Sequence, residues 1–307
     1  PAWGFVGNHP PGSLKPGRDA GATQGSERRT VQRAGRTGED GAWSATTAVG
    51  VDWGATLAKI AVRRPGAAPE FRMLPCEAPD ACARTLAILG EGSGPGAARV
   101  GVTGGGGALL MRELAGAIPV NEFAAWGAGA AALLAEAATE PAQRYLLVSL
   151  GTGTSVLLVD GLSVMRVGGT ALGGGTLRGL AAGLIGTADF ERIVELAGQG
   201  SRREVDLLVS DIYQAGGIPL AGDLTASNLG RLALRLGAGE TVAPADIAHG
   251  LMGLLGENVA LVCAGLAATA QVRRIVFGGS TLRGNQPLVA VLEAITRALG
   301  REPVFLP

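Results

Sequence analysis

Lysine is almost absent from this chain: its 307 residues include two, Lys15 and Lys59, and arginine supplies the remaining positive charge. Histidine is as scarce, at two residues (His9 and His249), which argues against a His-ligated metal centre or a Ser-His-Asp triad. The three cysteines, Cys76, Cys82 and Cys263, are too few for a disulfide framework, and no pair has C-x-x-C spacing. They point to a reduced, cytoplasmic compartment. Charge is low, at 17% of residues, and balanced at 26 basic against 26 acidic. That excludes nucleic acid or an anionic membrane as a partner held by bulk charge. No uncharged run reaches the roughly 18 apolar residues of a membrane span, and the first residues lack the apolar core of a signal peptide.

Glycine, in contrast, is abundant: 51 residues, well above the ~7% average, with no collagen-like period. The excess serves tight turns and close backbone approaches. Hydrophobic residues make up 47%, enough for a large core, and the length suggests two domains or one domain with two lobes. Residues 1–47 stand apart, rich in Gly, Pro, Ser, Thr and Arg without an apolar period. Such a segment buries too little to offset its chain entropy and reads as a disordered extension. The first residue is Pro1 rather than Met, which fits a fragment or an over-extended reading frame.

From Ala48 the pattern changes. AVGVDWGATLAKIAVRR reads as strand, tight turn, strand, with Val49, Val51, Ile60 and Val62 alternating with smaller residues. A strand over 99–105, a helix over 108–116, an extended piece over 118–123 and an Ala-rich helix over 124–138 follow. Residues 144–161 form a second hairpin, and SVMRVGG a third strand. Helical spacing covers 176–186, 189–200, 204–214 and 246–271, with Asp189 and Asp246 as N-caps. A strand over 273–280, a helix over 285–299 and a strand over 302–306 complete an α/β layout in two lobes, 48–143 and 144–307.

Glycine turns directly follow strands at Asp52–Thr56, Gly151–Thr154 and Gly278–Ser280, and two more, Gly104–Gly107 and Gly173–Gly175, open helices. Amides in such turns, with a helix N-terminus behind them, can face an anion, and Thr and Ser hydroxyls add donors. Two hairpin phosphate loops about 100 residues apart, plus a strand-GGS-helix, suggest two lobes facing each other across a nucleotide. Lys59, on the second strand of the first hairpin, is either a solvated strand residue or a cation near the phosphates.

The segments VGVDWGATLAKIAV, VSLGTGTSVLLVDG, MRVGGTALGGGTLRGL, DLLVSDIYQ and GDLTASNLGR, in that order, resemble the type II pantothenate kinases over residues 49–306. The resemblance implies a two-lobed, actin-like ATPase (ribonuclease H-like) fold with the nucleotide cleft between the lobes. It implies ATP-dependent phosphorylation of the primary hydroxyl of pantothenate, the first step towards coenzyme A, with Mg²⁺ and ATP in a homodimer. A related kinase acting on pantetheine or a sugar, and a non-catalytic nucleotide- or coenzyme A-binding sensor, remain alternatives.

By resemblance, Asp52, Trp53, Gly54, Ala55, Thr56, Leu57, Ala58 and Lys59 cradle the ATP phosphates. A carboxylate at Asp52 suits hydrated Mg²⁺, which prefers carboxylate and phosphate oxygens. Ala55 replaces the family's second glycine; a positive φ there would cost about 1 kcal/mol. Glu122 matches the catalytic glutamate, the general base for the alcohol, and otherwise reads as a helix-start residue favoured by the dipole. Arg166 matches an arginine near the transferred phosphoryl, where its fork suits a developing anionic oxygen; otherwise it is a strand arginine facing water. Ser149, two strands earlier, is expected to reach towards the same pocket. Thr152, Gly174, Gly175, Thr176, Leu177, Arg178 and Ser280 match nucleotide contacts, and Phe190 a wall that core packing explains equally well. Asp223, Thr225 and Asn228 read as polar residues that order the lobe junction. Cys263 and His249 read as structural. The family continues past the final strand with a closing helix, so the chain is expected to be truncated at its C-terminus.

Overall fold

A computed structural model describes residues 47–76, 80–91, 98–137, 143–213 and 224–307. The expected disorder over 1–47 and the role given to Asp223 therefore lie outside the described residues, Thr47 excepted.

The first sheet is built on a hairpin. In β1 (Ala48–Trp53) and β2 (Leu57–Arg63) every second side chain, Val49, Val51 and Trp53, then Ala58, Ile60 and Val62, is buried. The other face carries Asp52 and Lys59, which the antiparallel register sets directly opposite each other. The edge strand β3 (Glu70–Pro75) pairs with β2. Helix α1 (Ala81–Glu91) then leads to β4 (Arg99–Thr103), parallel to β1, and α2 (Gly107–Glu113) to the short β5 (Ile118–Pro119). The order is β3-β2-β1-β4-β5.

After α3 (Glu122–Glu136) the plan repeats: β6 (Arg144–Leu150), β7 (Thr154–Asp160) and β8 (Ser163–Thr170) run antiparallel, and β11 (Arg274–Gly278) and β12 (Glu302–Phe305) join in parallel. The second sheet reads β12-β11-β6-β7-β8, the first sheet's order from its other edge. Each lobe is thus an antiparallel hairpin ribbon extended by parallel crossovers, as expected of the two-lobed α/β reading.

The second sheet is covered on both faces. On one, Leu146, Val148, Leu150, Ile275 and Phe277 pack with α4 (Gly174–Ile185), α5 (Phe190–Gln199), α8 (Pro244–Thr269) and α9 (Gln286–Ala298). On the other, Phe123, Trp126 and Ala130 of α3 pack on Tyr145, Leu147, Leu157 and Val276. The sequence reading grouped α3 with 48–143; its apolar stripe belongs to the second sheet. Helix α8, at 26 residues with an 18-residue window of mean hydropathy 1.7, is long and apolar enough to cross a membrane. Leu251, Met252, Leu255, Val259 and Cys263 nevertheless commit it to the core of this lobe. Its Pro244 fits the first helical turn, where no amide partner is needed.

Two expectations change. The helix expected over 204–214 is not formed over its described residues, 204–213: they run through a 3₁₀ turn (Arg202–Glu204), the short β9 (Leu207–Leu208) and a single turn, α6 (Val209–Ile212). Asp211 breaks the run by accepting the Leu208 amide at 2.7 Å, and β9 pairs with β10 (Thr225–Ser227) ahead of α7 (Gly230–Gly237). Asp189 does cap α5, accepting from the Arg192 amide at 2.8 Å. Asp246 instead lies within the first turn of α8 and accepts the Ser201 amide at 2.8 Å, tying that loop to the helix.

Candidate active site

The β1–β2 register brings Lys59 Nζ to 2.8 Å from Asp52 Oδ2, with the two side chains 35% and 22% exposed. Beside them the chain leaving β4 closes down on β1. Gly104 has φ +89°, and a Cβ there would lie 2.6 Å from Asp52 Oδ1 and 2.4 Å from the Trp53 carbonyl oxygen. Only glycine permits that approach, which the Gly106 amide fixes by donating to Trp53 O at 3.0 Å. Ala55 is not among the described non-glycine residues with positive φ, which are Leu229 and Gln271, so the missing glycine costs no backbone strain.

The pleat sorts the expected phosphate segment into two sets. Asp52, Gly54, Ala55, Thr56, Leu57 and Lys59 line a cavity. Trp53 and Ala58 point the opposite way, into the first lobe's core, and are not ligand-facing.

The second loop, 151–153, is clamped from three sides. The Gly174 amide donates to Gly151 O at 2.8 Å, the Gly175 amide to Thr152 O at 3.0 Å, and Thr281 Oγ1 to Gly151 O at 2.9 Å. The first amides of α4 thus hold the hairpin instead of facing an anion. Thr176 donates to Ala171 O at 3.0 Å and Leu177 is buried, so these two support the loop and do not line the cleft. Where the loops meet, Thr56 Oγ1 and Thr152 Oγ1 are 3.3 Å apart.

Two cavities join at that contact. The first, of about 610 Å³, gathers Asp52, Lys59, Glu122, Trp126, Ser149 and Arg166. The second, of about 860 Å³, is lined by Gly174, Gly175, Arg178, Phe190, Val194 and Arg283 among others. Thr56, Leu57, Gly151, Thr152 and Ser280 belong to both. Arg178 is oriented by donating through Nε to Ala188 O at 2.9 Å.

Glu122 opens α3 immediately after Asn121, whose Oδ1 caps the helix by accepting the Ala124 amide at 3.0 Å. Arg166 follows from a shift in the β7–β8 ladder: Leu157 faces Arg166 and Val156 faces Gly168, leaving Val167 unpaired between them. Neither Glu122 nor Arg166 has a hydrogen-bond or ion-pair partner among the described residues; both project into the cavity with free polar ends. Trp126 was missed in the sequence, although it lies one helical turn after Glu122 on the same face.

Among the described residues no group of three or more His, Cys, Asp or Glu could hold a metal by itself. Asp52 offers a single hard oxygen donor set, already engaged by Lys59. This fits an ion such as Mg²⁺ that is bound through one carboxylate, water and nucleotide phosphates, not a dedicated protein cage.

Thr225 and Asn228 do not sit between the lobes. Thr225 Oγ1 donates to Glu257 Oε1 at 2.7 Å, Asn228 Nδ2 to Glu257 Oε2 at 2.8 Å, and Arg202 Nη2 to Glu257 Oε1 at 2.6 Å. This cluster pins β10 to α8 inside the second lobe. Beside it the buried Asp206 carboxyl is raised above its usual range, chiefly by burial, while the Leu229 amide and Arg202 pull it down. Burial likewise pushes the Cys263 thiol up to about 12, as befits a core residue. His249 Nδ1 lies 2.7 Å from Gly200 O, a structural contact.

Comparison with known proteins matches the Fumble family over residues 129–299. The chain is 35% identical to a type II pantothenate kinase of Bacillus cereus (strain G9842) over 263 residues, 84% of this chain and 92% of that protein. It is 34% identical to one of Oceanobacillus iheyensis over 205 residues, 67% and 75% of the two. The fold is similar to component A of the Acidaminococcus fermentans (R)-2-hydroxyglutaryl-CoA dehydratase (TM-score 0.58, 17% identity, 85% and 92% covered). It is also similar to a ROK family glucokinase of Streptomyces griseus (TM-score 0.51, 14% identity, 85% and 93% covered). The fold is therefore the actin-like one expected of the two-lobed reading.

Proposed function

Because the chain belongs to the type II pantothenate kinase family, we propose that its two joined cavities divide the reaction into a nucleotide half and an acceptor half. The enzyme transfers the terminal phosphoryl group of ATP to pantothenate, the first step of coenzyme A synthesis. The observation that carries the division of roles is the convergence of Asp52, Lys59, Glu122 and Arg166 on one cavity, joined to a second by Thr56 and Thr152.

ATP lies with its base and ribose in the larger cavity against Phe190 and Val194, and its phosphates run alongside the Thr56–Thr152 contact into the smaller one. Asp52 would hold Mg²⁺ there, which supplies charge neutralisation of the phosphate oxygens. Lys59, already paired with Asp52, adds a cation on the same side. Glu122 takes the proton from the acceptor's primary hydroxyl as its oxygen attacks the terminal phosphorus and the bond from that phosphorus to the bridging oxygen breaks, releasing ADP. Arg166 binds the transferring group's oxygens through its fork of donors, in a site where charge shifts without covalent help from the protein.

The enzyme works in the cytoplasm, where both substrates are found, and as a homodimer. The outer face of α8 supports the dimer: Leu261 and Val262 stay exposed on a helix otherwise committed to the core. Incubation with ATP and, separately, pantothenate, pantetheine and glucose tests the acceptor, with the phosphorylated product identified by mass. Pantothenate should be phosphorylated; turnover of glucose alone would overturn the reading.

A further inference from the structure

Trp126 is the aromatic side chain in the acceptor cavity, and nothing in the transfer step just described uses it. It stands one helical turn beyond Glu122, so the ring and the carboxylate project from the same face of α3. Its back is fixed. A Cβ on Gly278 would lie 3.3 Å from Trp126 Cζ3 and 2.8 Å from Leu306 Cδ1, so the ring rests on the bare backbone at the end of β11, beside Leu306. Phe123 and Leu134 of the same helix join it in the cluster that seals α3 to the second sheet. Its indole N–H has no hydrogen-bond partner among the described residues. The outer part of the ring is thus a rigid apolar wall in a cavity whose other named groups, Asp52, Lys59, Ser149 and Arg166, are polar.

An acceptor whose reacting hydroxymethyl group must reach Glu122 places the carbon attached to that group near this wall. In pantothenate that carbon is quaternary and bears two methyl groups. We propose that Trp126 is a specificity-determining residue that packs against this dimethyl-substituted carbon and so aims the primary hydroxyl at Glu122. The inference rests on the kinase reading above. The wall distinguishes a branched pantoyl chain from a straight one by contact area, at roughly 10–200-fold per methyl-sized group in a close-fitting pocket.

The test compares kcat/KM for pantothenate with that for 2,4-dihydroxybutanoyl-β-alanine, the same acceptor without the two methyls. The native enzyme should prefer pantothenate by at least about 10-fold. Trp126→Ala should bring the ratio close to one and leave KM for ATP unchanged. A native ratio retained in Trp126→Ala overturns this inference alone, whereas no turnover of either acceptor by the native enzyme overturns the kinase reading and this inference together. A second measurement does not depend on Trp126→Ala folding. Pantothenate should perturb the tryptophan fluorescence of the native protein, and Trp126→Phe, which keeps a ring in place, should lose that response. The same response in Trp126→Phe overturns the inference.

Discussion

The hydroxyl oxygens of Thr56 and Thr152 lie 3.3 Å apart although 96 positions separate them in the chain. One closes the first hairpin turn and the other the second, and both line both cavities. They mark where the proposed nucleotide half and acceptor half adjoin. A phosphate chain crossing there meets both hydroxyls, and a hydrogen bond to a charged group contributes about 1.5–3 kcal/mol. Thr56→Val and Thr152→Val are each expected to raise KM for ATP roughly 10-fold or more, with KM for pantothenate little changed. Steady-state kinetics with each substrate varied in turn checks this; a rise confined to pantothenate would move the pair to the acceptor half.

Glu122→Gln keeps the size of the side chain and the start of α3 but cannot accept the acceptor's proton. The expected loss in kcat is roughly 10²–10⁴-fold, with ATP affinity preserved because Glu122 belongs to the first cavity only. Isothermal titration with a non-hydrolysable ATP analogue separates binding from turnover. Near-native kcat would remove Glu122 from the mechanism.

Arg166→Lys preserves the charge and removes the fork. Beside its bulged place on β8 it lines the first cavity, the proposed acceptor half, so kcat/KM for pantothenate should fall while ATP binding holds. If nucleotide affinity drops instead and the acceptor is handled normally, Arg166 serves the other half of the cleft.

Asp52→Asn leaves Lys59 without its carboxylate and weakens the one hard donor offered to a metal–nucleotide complex. The Mg²⁺ concentration giving half-maximal rate at fixed ATP should rise several-fold. An unchanged Mg²⁺ requirement would assign Asp52 to holding Lys59 alone.

Much of this was legible in the sequence because strands have a period of two. Val49, Val51, Ile60 and Val62 announce the first hairpin, and its register then sets Asp52 opposite Lys59. The same pleat explains what was misread. Trp53 and Ala58 share the candidate phosphate segment but alternate into the core, so a run of residues taken as one unit serves two faces. The stretch 204–214 deceived for a different reason. Val205, Leu208, Val209 and Ile212 recur at helical spacing, yet Asp206 is drawn inside by the Leu229 amide and Asp211 by that of Leu208, which breaks the helix. Strand β3 was missed because it buries only Leu74 and shows no alternation. Trp126 was missed because an Ala-rich helix reads as scaffold, and only its spacing from Glu122 marks it as facing the cleft.

Asp206 supplies a prediction about stability. Its side chain is buried; Oδ1 accepts the Leu229 amide at 2.8 Å, while Oδ2 accepts no hydrogen bond and lies 3.9 Å from Arg202 Nε. Arg202 is held more closely by Glu257, at 2.6 Å. Burial is the largest influence on this carboxyl and raises it above the ordinary value of 3.8. The folded protein therefore binds this proton more tightly than the unfolded chain does. By linkage, the contribution of Asp206 to stability is greatest below pH 3.8 and declines as pH rises through its elevated value, when a charge must be kept inside the fold. Asp206→Asn retains an oxygen for the Leu229 amide and removes that charge. The melting temperature of Asp206→Asn relative to the native protein should accordingly increase from acid towards neutral pH, as read by thermal unfolding in matched buffers. A difference that instead moves against the variant as pH rises would show that Arg202 stabilises the Asp206 carboxylate by more than burial destabilises it.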